Sequence, residues 1–269
     1  MFKLHKDNYA ILLDHLPALP FNTLMARSVV CGHADGAIYV DDAENPQTYY
    51  IVHSYGMTWL VGNSDNKAFN NWLRAYFQGK AFDRKKDEWL QAYSRGWDKF
   101  MNCLVEENIA NVDTRVNLKF NEAKFYEKYN GIEKINHEII ATPMDMLFEI
   151  NGSVVPKDYW VSSEKYSEIA KAFTVIIDGR PASTAFTSAR HDNKLEIGIE
   201  TAKEFQGMGF AYFACAKLIE YCIDNNLEPV WSCRLGNTPS LNLSKKLGFV
   251  EALRTPYYHL PKRIYALMQ

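Results

Sequence analysis

The segment Lys194-Leu-Glu-Ile-Gly-Ile-Glu-Thr-Ala-Lys-Glu-Phe-Gln-Gly-Met-Gly-Phe-Ala211 concentrates groups that can do chemistry. Two carboxylates, Glu196 and Glu200, stand four residues apart in an alternating apolar stretch, so in a regular strand they share a face. A carboxylate there can accept a proton, directly or through water. Gln206, Gly207 and Gly209 follow in a short loop. An apolar helix then begins, with Ala211, Ala214, Cys215, Leu218 and Cys222 at helical spacing. Glycine lets backbone N–H groups approach a ligand closely. The start of a helix adds unpaired donors and the positive end of the dipole. Together they suit an anion, most naturally a phosphate or pyrophosphate. Two familiar glycine patterns do not apply. GxGxxG needs a third glycine where Tyr212 stands, and the GK[ST] of a Walker loop is missing.

A second segment follows. Pro229-Val-Trp-Ser-Cys233 reads as a short strand, and Asn237-Thr-Pro-Ser-Leu-Asn-Leu-Ser-Lys-Lys-Leu-Gly-Phe249 as a capped helix. Thr238 suits the N-cap, Pro239 the first helical position and Gly248 the C-terminal cap. Ser240, Leu243, Ser244 and Leu247 share one face of that helix.

These two motifs resemble those of the GNAT superfamily of acetyl-CoA-dependent N-acetyltransferases. Gln206, Gly209 and Ala211 match its phosphate-loop pattern, Gln/Arg-x-x-Gly-x-Gly/Ala. Asn237, Ser240, Leu243, Lys246, Gly248 and Phe249 match its later pattern in register. The resemblance covers roughly residues 135–269. The whole chain also looks like a bacterial subgroup with an N-terminal α/β extension, whose C-terminal half carries Glu-Ile-x-Ile-x-Thr before the loop, as Glu196-Ile-Gly-Ile-Glu-Thr201 does here; that subgroup includes self-resistance acetyltransferases of the zwittermicin type.

The resemblance implies a mixed α/β fold in which the strand before the loop bulges and splays from the next. The pantetheine arm of acetyl-CoA then lies in the gap like an added strand. Backbone groups of Ile199 and Thr201 would pair with that arm. Amides of Gly207, Met208, Gly209, Phe210 and Ala211, with Gln206, would hold the pyrophosphate. Asn237, Ser240 and Ser244 would line the cofactor from the following helix. Gly198, in mid-strand, is where a bulge or close approach is expected.

Acetyl transfer to an amine requires that an ammonium lose a proton, that an oxyanion meet preorganised donors, and that a leaving thiolate be protonated. Glu196 or Glu200 would serve as base, and backbone N–H groups of their strand as oxyanion donors. The family's usual acid is a tyrosine where this chain has Ser244. Ser244 would at most bond the thiol or position a water, and Tyr257 or Tyr258 would supply a phenol instead. The implied reaction is direct transfer to a primary amine of a small molecule, an antibiotic among the candidates, or of a peptide. The rival is a weakly catalytic coenzyme-A-binding regulatory or interaction module.

The remaining features bound this reading. The 269 residues carry 47% hydrophobic and 23% charged residues and a formal charge of −2. That is globular composition, with no polybasic field for nucleic acid. No apolar run approaches a membrane span, and Lys3, Lys6, Asp7 and Asp14 interrupt any leader-like stretch. A cytoplasmic protein is expected, with a homodimer possible. The five cysteines form no CxxC and the seven histidines show no ligand spacing, so no metal is expected.

Two parts are expected, an N-terminal α/β extension over 1–132 and a transferase domain over 133–269, joined near Tyr129-Asn-Gly131. The extension reads as helix Asp7–Leu16, strands Ala37–Val40, Thr48–His53 and Met57–Val61, and a helix carrying Phe69, Trp72, Leu73 and Tyr76. A longer helix follows over about 88–107, then strand Thr114–Phe120 and helix Glu122–Tyr129. That order hints at a worn second copy of the transferase fold without a phosphate loop. In the second part, helices near Pro143–Ile150 and Ser162–Ala172 precede a three-stranded antiparallel meander, Ala172–Ile177, Pro181–Ser188 and Lys194–Thr201. A β-α-β crossover through a helix over about 209–225 completes it.

Overall fold

The computed structural model describes residues 1–14, 16, 19–80, 84, 86–129 and 137–263. The chain divides into two compact units. One comprises Met1–Arg115 and Arg254–Gln269, the other Val116–Leu253. The linker expected at 129–131 falls largely outside the described residues. The division into units runs instead inside two strands, β6 (Asn111–Phe120) and β12 (Phe249–Leu260).

In the second unit the meander consists of β8 (Ala172–Ile177), β9 (Arg180–His191) and β10 (Lys194–Thr201), all antiparallel. The β8–β9 turn has Asp178 and Gly179 at φ of 49° and 72°, the left-handed pair that matches hairpin twist. β7 (Glu138–Ala141) flanks β8, and α7 (Phe210–Asp224) carries the chain from β10 to the parallel strand β11 (Glu228–Arg234). α8 (Thr238–Lys246) then leads into β12. α7 buries Phe210, Ala214, Cys215, Leu218, Ile219 and Cys222, packed with Leu195, Ile197, Ala185 and Val175 of the meander.

That packing decides the faces of β10. Leu195 and Ile197, with the half-buried Ile199, meet the α7 core, so Glu196, Gly198 and Glu200 lie on the opposite face. The chain before β8 folds as α5 (Met144–Glu149), a short 3-10 turn (Pro156–Asp158) and α6 (Ser163–Ile169). Tyr159 packs on Phe186 of β9 with ring centroids 5.8 Å apart, and Trp160 Nε1 donates to Thr187 O at 2.8 Å.

The first unit orders its strands β1 (Phe2–Lys3), β2 (Gly36–Val40), β3 (Thr48–His53), β4 (Met57–Gly62) and β5 (Glu88–Tyr93), with Tyr258–Leu260 of β12 antiparallel to Glu88–Leu90. α1 (Leu24–Val30) precedes β2, and α2 (Lys67–Phe77) crosses over between the parallel strands β4 and β5. Its core gathers Tyr50, Leu60, Phe69, Leu73, Phe77, Leu90, Trp97, Met101, Tyr258 and Leu260.

Two expectations need correction here. The helix read over 88–107 is strand β5, a 3-10 turn at Arg95–Trp97, and only then α3 (Asp98–Glu106). Trp89, Tyr93 and Trp97 mimic helical spacing, but residues 89–93 are bonded in a parallel ladder to 57–61. The helix read over Asp7–Leu16 is a 3-10 helix, Lys6–Leu12, that still buries Tyr9 and Leu12.

Candidate active site

β10 and β11 pair only over Lys194–Glu196 against Glu228–Val230. Beyond that point, among the described residues, 197–201 keep their β9 partners and have no β11 partner. The two parallel strands therefore part after Glu196. The open stretch of five residues is roughly 16 Å long at strand rise. At the same level the β9 register slips, with Glu196 opposite Ala189 and Ile197 opposite Thr187. Ser188 becomes the extra residue, and its Oγ donates to Glu196 O at 3.1 Å. The irregularity expected at Gly198 thus sits one step earlier and on the neighbouring strand. Gly198 shows the close approach instead: a Cβ there would lie 2.5 Å from the Phe186 ring.

Glu196 is 3% exposed, and its Oε1 accepts from Ser232 Oγ of β11 at 3.0 Å. Val230 is its register partner, so Ser232 is the next β11 residue on the same face. The carboxylate therefore bridges the strands at the point where they separate. Glu200 is placed differently. Its Oε2 accepts from the backbone N–H of Ser153 at 2.9 Å and of Val154 at 2.8 Å.

At the far end of the gap, Gly207 and Gly209 have φ of 81° and 88°, the left-handed region that disfavours a side chain. Gly209 caps α7 and offers no side-chain acceptor. The amide of Met208 reaches Phe205 O at 3.4 Å and that of Tyr212 reaches Gly209 O at 3.0 Å. The amides of Gly207, Gly209, Phe210 and Ala211 have no backbone acceptor among the described residues. Gln206 Nε2 donates to Thr201 O at 3.2 Å and closes the loop. Met208 is 61% exposed at its tip. A turn of this kind, with two glycines and a rim of amides that have no backbone acceptor, fits a diphosphate.

Other nominated residues are engaged locally. Asn237, not Thr238, is the N-cap of α8: its Oδ1 accepts from Ser240 N at 3.3 Å, and Pro239 falls one position deeper in the first turn. Ser240 Oγ accepts from Trp231 Nε1 at 3.1 Å and so ties α8 to β11. Ser244 is fully buried and its hydroxyl donates to Leu241 O at 2.9 Å, within its own helix. Thr201 Oγ1 and Ser183 Oγ are 2.8 Å apart. Tyr258 belongs to the core of the first unit, where burial, with Asp98 adding to it, raises its phenol. Tyr257, its neighbour, stacks on Trp89 at 5.0 Å. Burial also pushes up the thiols of Cys215 and Cys222, which removes them as nucleophiles at neutral pH. Ser232, Gly152, Ser153 and Val154 were not legible as site residues, because the parallel register and the loop contacts are tertiary.

The forked parallel pair, the helix start without a side-chain cap and the mixed sheet are the features of an acyl-CoA-dependent transferase. The family model described as GNAT acetyltransferase matches residues 19–258, and the chain belongs to that family of N-acetyltransferases. The match runs from the first unit through the second and takes in most of the chain. The chain is similar to "Uncharacterized N-acetyltransferase YdfB" of Bacillus subtilis (strain 168), 24% identical over 229 residues, 83% of this chain and 85% of that one. Among solved structures it is similar to a GCN5-related N-acetyltransferase-like protein from Streptococcus suis, with a TM-score of 0.70 at 19% identity, covering 96% of this chain and 100% of the other. It also shares its fold with a tandem GNAT protein from the clavulanic acid biosynthesis pathway, with a TM-score of 0.58 at 11% identity, covering 96% and 97%. Enzymes of this family use acetyl-CoA. Among the described residues no group of His, Cys, Asp and Glu is arranged to hold a metal, and no helix is long and apolar enough to cross a membrane.

Proposed function

We propose that this chain transfers the acetyl group of acetyl-CoA to a primary amine of a small molecule or peptide, by direct attack, with Glu196 as the base. One observation carries this reading. The gap between β10 and β11 is open toward the glycine turn at 207–209 and closes at Glu196. An arm held at its diphosphate by the amides of Gly207, Gly209, Phe210 and Ala211 and running along the free edge of 197–201 brings its far end to that carboxylate. The coenzyme supplies an activated acetyl thioester. Glu196 takes one proton from the ammonium, the freed lone pair attacks the carbonyl carbon, the C–S bond breaks, and the second proton that the nitrogen sheds goes to the departing thiolate, which leaves as the thiol. Backbone N–H groups on the open edge of β10 supply the donors for the developing oxyanion. Neither Ser244 nor Tyr258 is assigned as acid, since the first bonds Leu241 O and the second serves the core of the other unit. A thiolate is a fair leaving group without one.

The test is thiol release from acetyl-CoA against a panel of amines that includes antibiotics, polyamines and peptides. Release with at least one acceptor is expected. Glu196→Gln should then lower kcat by about 100- to 1000-fold and remove the acid limb of its pH profile. Calorimetric binding of coenzyme A with no release for any amine would favour the rival module; no heat at all would remove the coenzyme from the account.

A further inference from the structure

The two glutamates of β10 have different surroundings. We infer that Glu200 is a positioning residue: its carboxylate pins the 150–155 segment and makes that segment a fixed wall of the acceptor cleft. This rests on the proposed acetyl transfer with Glu196 as base. Oε2 of Glu200 receives two backbone N–H groups from one loop, Ser153 and Val154, so both of its lone pairs are engaged. Gly152 supplies the room. A Cβ there would lie 2.3 Å from Glu200 Cδ and 2.5 Å from Oε2. The φ of Gly152 is not in the left-handed region, so proximity to this carboxylate, and not backbone conformation, is what makes a side chain unwelcome.

The segment has packed ends. Leu147 of α5 is buried on one side, and Val155, Tyr159 and Trp160 on the other. Between them the exposed 151–153 stretch protrudes, and Glu200 holds it from the sheet. Glu196 and Glu200 are about 13 Å apart along the strand, too far for both to deprotonate one nitrogen. Gly198 lies between them and rests on the Phe186 ring, which Tyr159 backs. The face therefore has a carboxylate at one end, a bare glycine floor over an aromatic ring in the middle, and a pinned backbone loop at the other. An acceptor whose amine sits at Glu196 extends toward that loop, which meets the part of the molecule remote from the reacting nitrogen.

Amide hydrogen exchange and steady-state kinetics together test this on the full chain. In Glu200→Ala the amides of Ser153 and Val154 should exchange at least about tenfold faster, and KM for the acceptor should rise by about tenfold. The pH profile of kcat should keep its wild-type shape, and coenzyme A should bind as before. Glu200→Gln retains a carbonyl oxygen able to accept both N–H groups and should lie between Glu200→Ala and wild type in both readouts. Gly152→Ala, which displaces the carboxylate from the other side, should reproduce the KM rise should Glu200→Ala fold poorly. The inference is overturned if Glu200→Gln loses its acid limb with KM unchanged, which would make Glu200 the base. It is equally overturned if exchange at 153 and 154 is unaltered in Glu200→Ala. A chain that acetylates no amine defeats the broader reading, while the exchange result still reports on the pin.

Discussion

The two units run through the same order of elements and finish them differently. Each has a three-stranded antiparallel meander (β2-β3-β4, β8-β9-β10), a crossover helix (α2, α7), a parallel strand (β5, β11) and a second helix (α3, α8). In the first unit β4 and β5 stay paired from Met57–Val61 to Trp89–Tyr93, so no gap opens. The start of α2 is capped by Asn66, whose Oδ1 accepts from Phe69 N at 3.0 Å. A buried carboxylate, Glu88, is held by the phenols of Tyr50 at 2.6 Å and Tyr76 at 2.5 Å. In the second unit the parallel pair separates after three residues, the helix cap is a glycine without an acceptor, and Glu196 sits at the fork. One connectivity can thus close on itself or leave donors and an edge for a ligand. The choice rests on one turn and on the length of one ladder.

Putting a side chain where the second unit has none should have the largest effect. Gly209→Val forces a β-branched residue to φ of 88° and covers the free amides. Coenzyme A affinity, measured by calorimetry, should fall by at least about 100-fold. An unchanged Kd would show that the glycine turn is not the anchor.

The next effect separates the units by acid. His53, buried in the first unit, has its pKa pulled from 6.5 to about 4 by burial, with Lys86 adding to the shift. Between those values the unfolded chain binds a proton that the folded chain refuses, so stability drops as pH falls through that window. Glu88 acts in the opposite direction, because burial raises its carboxyl and the folded state holds its proton more tightly. Comparison with His53→Gln isolates the histidine. From pH 6.5 to 4.5 the wild type should lose about 2 kcal/mol more than the variant in urea unfolding. Parallel losses would mean that His53 is reachable by water.

The smallest effect probes the closed turn. Asn66→Ala removes the cap of α2 and should cost about 1 kcal/mol. It should not create coenzyme binding in the first unit, since β4 and β5 remain paired there. A second binding event by calorimetry would show that the cap alone kept that unit silent.

Much of this was legible because it is written locally. Strands 48–53 and 194–201 and helix 122–129 fall where alternation and periodicity place them. The glycine turn could be read because left-handed backbone narrows the choice of residue. β5 could not, since Trp89 and Tyr93 satisfy either period until β4 is beside them. Glu196 and Glu200 were indistinguishable in sequence, as both are glutamates on one strand face. Their difference comes from Ser232, 36 residues on, and from Ser153 and Val154, some 47 residues back. No spacing rule reports contacts at that range. The boundary between units was equally hidden, because strands 111–120 and 249–260 each serve both.

That shared last strand constrains how the molecule is made. Tyr258 and Leu260, which complete the core around Tyr50 and Leu60, leave the ribosome after every residue of the second unit. The half that is synthesised first is therefore finished last, waiting with an open flank while its sister forms.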